Sequence, residues 1–112
     1  MITRLPSTYK IYFTLFLSVF VATLSNAAIG LRGTSTANST NTSLTILKPA
    51  GVLAGDLMII TIAQNGTAGL SNPTCAGWTL IDGANLGGGT NRWGAVLYKM
   101  AGAAEPANYT FT

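Results

Sequence analysis

The stretch LMIITIAQ, residues 57–64, decides the fold class of this chain. It contains three isoleucines, with Gly55 and Asp56 before it and an Asn-Gly pair after it. A short run rich in β-branched residues between turn-forming residues predicts a β-strand. Because apolar residues fill the run almost without alternation, we predict that it is buried on both faces, one under a second sheet and the other under a loop or a partner.

Four further segments are predicted as strands. Residues 92–101, RWGAVLYKMA, form a long one because their apolar side chains alternate between two faces. On one face lie Trp93, Ala95 and Leu97, and on the other lie Val96, Tyr98 and Met100. The shorter predicted strands are LTILK (44–48), WTLI (78–81) and YTFT (109–112), the last with Tyr109 and Phe111 on one face.

Turn residues fill the segments between these strands, which are predicted as loops at residues 65–77, 82–91 and 102–108. Short strands separated by turns predict an all-β fold, an antiparallel β-sandwich of the jelly-roll or Ig-like type. The last strand stops at its fourth residue, which would leave sheet edges open. We therefore expect a sandwich that is incomplete at its C-terminus or that pairs with other copies.

The N-terminal segment has the three-part layout of a secretory signal peptide. Two positive charges in residues 1–10 are followed by fourteen uncharged, mostly apolar residues, 11–24. Small residues at Ser25 and Ala27 then predict cleavage between Ala27 and Ala28. The alternative is an uncleaved membrane anchor, but the apolar run is shorter than the roughly 20 residues of a spanning helix.

The predicted organisation is therefore a signal-peptide helix at 1–27, a polar leader at 28–43 and the sandwich module at 44–112. The leader is rich in Gly, Ser, Thr and Asn, and we expect at most one edge strand in it, around Thr34–Ala37. A secreted or cell-surface protein follows from this layout, with the membrane met only through the signal segment.

The net charge of +3 does not point to a nucleic-acid partner, and none is predicted. Arg4 and Lys10 belong to the predicted signal, and the remaining chain carries only one net positive charge. Its cations are scattered and do not interleave with aromatic residues as a nucleic-acid surface requires.

Catalytic groups are scarce in this composition. The chain has no histidine and a single cysteine, so Cys75 forms no internal disulfide or Cys–His pair and is expected as a half-buried thiol beside a turn. The acids Asp56, Asp82 and Glu105 each fall in a predicted turn, and Asp56 is expected to start the strand that follows it. Asp82 and Asn85 are too few for a calcium site, and no cofactor is predicted.

Four aromatic residues are candidates for stacking on a sugar ring: Trp78, Trp93, Tyr98 and Tyr109. A tryptophan at a strand start, such as Trp78, is expected in the core. Trp93 follows a glycine-rich loop, so Trp93 and the adjacent Arg92 are the predicted ligand-facing residues. The corresponding partner would be a glycan or a cell-surface polymer.

The order AGVLAGDLMIITIA, GWTLI, a Gly/Thr/Asn loop and VLYKMAGAAEPANYTFT resembles a known module. It is similar to the N-terminal half of a β-sandwich found in bacterial secreted or surface proteins and in phage tail or virion proteins. The resemblance covers residues 49–112 and implies further strands after Thr112, but no agreed activity.

Together these observations favour a non-catalytic extracellular module, adhesive or carbohydrate-binding, within a larger secreted or surface protein. One alternative is a structural spacer or repeat module without a ligand. Another is a fragment of an enzyme whose catalytic part lies beyond residue 112. The oligomeric state stays open from the sequence alone.

Overall fold

The computed structural model of the chain describes residues 29–66, 69–87 and 91–112. The predicted signal segment, including Ala27 and Ala28, lies outside the described residues, as does part of the glycine-rich loop. Residues 32–112 form one compact unit. No helix occurs in the described ranges, so none there could cross a membrane.

Five strands are present in the described residues, and the sequence predicts each of them to within a few residues. They are β1 (Leu44–Leu47), β2 (Leu57–Gly66), β3 (Thr79–Asn85), β4 (Asn91–Met100) and β5 (Asn108–Phe111).

Two antiparallel sheets make up the fold, consistent with a β-sandwich. The small sheet pairs β1 with β5, and the large sheet has the order β2-β4-β3. The pairing of β2 with β4 runs without interruption from Leu57 opposite Met100 to Gly66 opposite Asn91. Strand β4 is the central strand of the large sheet, because β3 pairs with its other edge.

The core lies between the two sheets. Its buried apolar side chains come from β2, β4 and β5 together with Ala101, and Phe111 and Leu97 are the most completely buried. Trp78 packs edge-on against Tyr109 and Phe111, with ring centroids 5.2 and 5.3 Å away. The predicted core position of Trp78 and the inward direction of Tyr109 and Phe111 are therefore confirmed.

The prediction that a loop covers the second face of β2 is wrong for the described residues, and cover by a partner stays a prediction. Met58, Ile60 and Ile62 are buried, whereas Leu57 and Ile59, which alternate with them, are more than half exposed. The strand alternates as any one-sided strand does, but its outward positions also carry large apolar side chains. Nothing among the described residues covers them.

Strand β3 extends further than predicted and includes Asp82 and Gly83, which the sequence placed in a loop. Its pairing with β4 shifts register between Leu80 and Asp82, a bulge that moves Asp82 opposite Val96. A side chain at Gly83 would overlap the amide oxygen of Asn72, so glycine here allows close approach rather than a turn.

The predicted edge strand at residues 34–37 is also absent, and that part of the leader runs without regular pairing. The leader is nevertheless attached to the module, since the Arg32 guanidinium lies 2.8 Å from the Asp56 carboxylate. Short polar residues around Thr34 bury too little apolar surface to hold a strand against the sandwich.

Candidate functional site

The two predicted ligand-facing residues lie on opposite faces of β4. Trp93 points towards the core, is half-buried, and donates its indole N–H to Asn72 Oδ1 at 2.8 Å. Arg92 is exposed and alternates to the other face. One ligand on a single face of the sheet would therefore meet Arg92 without Trp93.

The face of the large sheet that points away from the core is called the outer face. At one end it carries the apolar patch, defined as Leu57, Ile59, Tyr98 and Met100. These four side chains are 57%, 61%, 37% and 54% exposed. Leu57 lies opposite Met100 and Ile59 opposite Tyr98, so the patch spans two neighbouring strands.

Next to the apolar patch the outer face has a shallow open groove of about 400 Å³. Its lining includes Thr61, Asp82, Leu86 and Val96. The floor is low because Gly94 has no side chain, and Leu86 lies over that position. Thr61, Val96 and Asp82 form one row across the three strands, two residues along β4 from Tyr98.

Asp82 supplies the carboxylate of this groove. One of its oxygens, Oδ1, accepts the backbone N–H of Gly83 at 2.8 Å. The second oxygen has no hydrogen bond within the described residues. A carboxylate beside an exposed aromatic ring and a threonine hydroxyl can bind hydroxyl donors and a ring face together.

Asp56 stabilises the turn before β2, as the sequence predicts. Its backbone N–H donates to the Leu53 carbonyl, and its Oδ2 accepts the Leu53 N–H at 2.8 Å. Gly55 at φ +87° completes the turn. The Leu53 N–H, and then Arg32, hold the pKa of the Asp56 carboxyl below its usual range. Asp56 thus closes the turn before β2.

Glu105 closes the connection from β4 to β5. Its carboxylate accepts the Gly102 N–H at 2.6 Å and the Tyr109 hydroxyl at 2.7 Å, and Lys99 Nζ lies 2.9 Å away. These contacts, the Gly102 N–H first, lower the pKa of Glu105 to about 2. Burial, and then the Glu105 carboxylate, raise the pKa of the Tyr109 hydroxyl.

The three acids are held in separate local contacts rather than in one pocket. Within residues 29–66, 69–87 and 91–112, no three His, Cys, Asp or Glu residues are placed to hold a metal ion. Cys75 is a free, half-buried thiol that packs against the core, as predicted from its place beside a turn.

Tyr98 and the outer face could have been found from the sequence. The alternation of residues 92–101 already separates Val96, Tyr98 and Met100 from the core-facing side chains. The glycine-rich loop before Trp93 points instead to Trp93, which lies on the core-facing side of the strand. The register shift that brings Asp82 beside Val96 has no comparable sequence signal.

The class that the fold and the site define is an all-β module of two antiparallel sheets, with an exposed apolar patch and a groove on one outer face. No protein-family model, no curated protein and no solved structure matches the chain. The resemblance to exported sandwich modules therefore stays a prediction.

Proposed function

We propose that this chain is a non-catalytic carbohydrate-binding module of a secreted or surface protein, and that a glycan binds to its outer face. The observation that carries the proposal is the exposed ring of Tyr98 beside the groove that contains Asp82 and Thr61. The proposed ligand therefore lies on the outer face rather than at Trp93.

The chemistry of a sugar ring fits this combination. A pyranose has an apolar C–H face, which packs on an aromatic ring, and a rim of hydroxyl groups that need hydrogen-bond partners. Tyr98 offers the ring, Asp82 a charged acceptor and Thr61 a hydroxyl. All three lie on paired strands, so their relative positions are fixed before the ligand arrives.

The carboxylates favour binding over hydrolysis. Glycoside hydrolysis generally uses two carboxyl groups across the scissile bond. Of the three acids, only Asp82 lies in the groove, while Asp56 and Glu105 are occupied by turn contacts elsewhere. One carboxylate in an open groove is suited to orienting hydroxyl groups.

A glycan array tests the proposal with the expressed chain and matched variants. Retention should be lost in Tyr98→Ala, kept in Tyr98→Phe, and reduced in Asp82→Asn. Trp93→Phe should keep retention because Trp93 faces inwards. An array on which the wild-type chain retains no glycan would instead favour a spacer module, and loss confined to the Trp93 variant would place the ligand on the other face.

Export is tested independently of ligand binding. We expect the chain recovered outside an expressing bacterium to begin at Ala28, because the small residues at Ser25 and Ala27 match a cleavage site. Intact-mass measurement of the secreted protein reads this directly. Recovery only in the membrane fraction, with residues 1–27 retained, would support the anchor alternative.

A further inference from the structure

Strand β2 forms one edge of the large sheet, which has the order β2-β4-β3. It is ten residues long and contains no charged residue and no proline. Its ladder with β4 has no bulge. Proteins commonly protect an exposed sheet edge with charged residues, prolines or bulges, because an unprotected edge is a template for another strand. The described part of β2 has none of them.

The backbone groups on the free edge can be identified from the hydrogen bonds of its neighbours. In an antiparallel ladder, alternate residues bond to a given neighbour. Leu86 N–H donates to the Arg92 carbonyl, so Arg92 bonds towards β3, and its β2 partner Asn65 points its own groups away from β4. By the same alternation, the N–H and C=O groups of Leu57, Ile59, Thr61 and Ala63 point away from β4 and towards the free edge.

The other end of β2 gives the same assignment. Ala101 N–H donates to the Asp56 carbonyl, so the even-numbered positions that follow Asp56 bond inwards to β4. The residues whose backbone groups point to the free edge are therefore the same residues whose side chains lie on the outer face. A strand added at this edge would extend both the ladder and the apolar patch.

We propose that the free edge of β2 pairs antiparallel with β2 of a second copy, about a two-fold axis at Ile59. Ile59 then lies opposite its equivalent, and Leu57 lies opposite Thr61 in both directions. All three positions have outward-pointing backbone groups, so the pairing forms a continuous six-stranded sheet. This inference is independent of glycan binding.

A second copy fits this edge because β2 is complementary to itself. The two-fold arrangement places no like charges opposite each other, since the strand is uncharged. It also joins the two apolar patches into one surface and sets two β-branched side chains face to face, a favourable cross-strand pair. The closest carboxylate on the outer face, Asp82, lies on β3 at the far side of the sheet.

The oligomeric state of the expressed chain tests the pairing by light scattering after size exclusion. The wild-type chain should have twice the monomer mass. Thr61→Pro removes one edge N–H per copy without breaking a bond to β4, and should weaken dimerisation by about thirtyfold or more. Thr61→Val keeps the N–H and should stay dimeric, as should Thr79→Lys, which adds a charge at the opposite edge.

Charge pairs at Ile59 provide a second test. This side chain is exposed in the single chain, so a charged residue should leave the fold intact. Ile59→Lys alone and Ile59→Glu alone should be monomeric, and an equimolar mixture should form a heterodimer. A monomeric wild type, an undiminished dimer in Ile59→Lys, or no heterodimer in the mixture would each overturn the proposal.

Discussion

Two adjacent isoleucines of β2 give a direct measurement of which face of the large sheet is covered. Ile60 is 9% exposed and packs in the core, whereas Ile59 is 61% exposed on the outer face. Truncating a buried isoleucine to alanine removes its transfer free energy and leaves a cavity, at a cost of about 2–5 kcal/mol. Ile60→Ala should therefore lower the free energy of unfolding by about 3 kcal/mol.

Ile59→Ala should cost much less. About two-fifths of the Ile59 side chain is shielded, which corresponds to about 1 kcal/mol of a full burial of roughly 2.5 kcal/mol. Urea unfolding followed by tryptophan fluorescence measures both values, with the chain diluted until it is monomeric. At a slope of about 1 kcal/mol/M, the midpoints should fall by about 3 M and 1 M.

Equal losses in the two variants would refute this reasoning. That result would mean that the outer face is covered in the folded monomer, as the uninterrupted apolar run of residues 57–64 suggested. A larger loss for Ile59→Ala that appears only at high concentration would instead reflect the dimer.

Two further predictions concern polar contacts. Asn72→Ala should lower the free energy of unfolding by about 1–3 kcal/mol, because the half-buried Trp93 indole N–H loses its acceptor. Asn72→Asp keeps an acceptor and should lower it less. Equal losses in the two variants would show that this hydrogen bond does not stabilise the fold. Glu105 has a folded pKa of about 2 against 4.5 for the free group, so its stabilising contribution is full above about pH 4.5 and is lost as the pH falls towards 2. The melting temperature should fall over this pH range, and Glu105→Gln should make the fall less steep. A smaller pH dependence should stay in the variant, because the pKa of Asp56 is also lowered. An equally steep fall in both proteins would show that Glu105 is not the titrating group.

The strands could be predicted because their signals are local. Alternation placed Ala95 and Leu97 on one face of their strand, which the structure buries, and turn residues marked where the chain reverses. The turn before β2 was predictable for the same reason, since Gly55 supplies the positive φ and Asp56 caps the preceding N–H. Both observations depend on residues close together in the chain.

The wrong predictions share a different origin. Apolar composition cannot tell whether Leu57 and Ile59 face a partner or water, because that depends on which strands lie nearby. Gly83 resembles a turn glycine, yet its role comes from Asn72, eleven positions away, which occupies the space of a side chain. Non-local contacts also decide the candidate site, since the bulge in β3 is what brings Asp82 to the row of Thr61 and Val96.

The small sheet has a mechanical consequence. Leu44, where the chain enters β1, lies opposite Phe111, where it leaves β5. Tension applied across these neighbouring positions would open the ladder pair by pair from that end, as in unzipping, instead of loading its four pairs at once in shear. The mutual backbone bonds between Thr112 and Thr74 lie at this same end, so they would be among the first contacts to bear the pull.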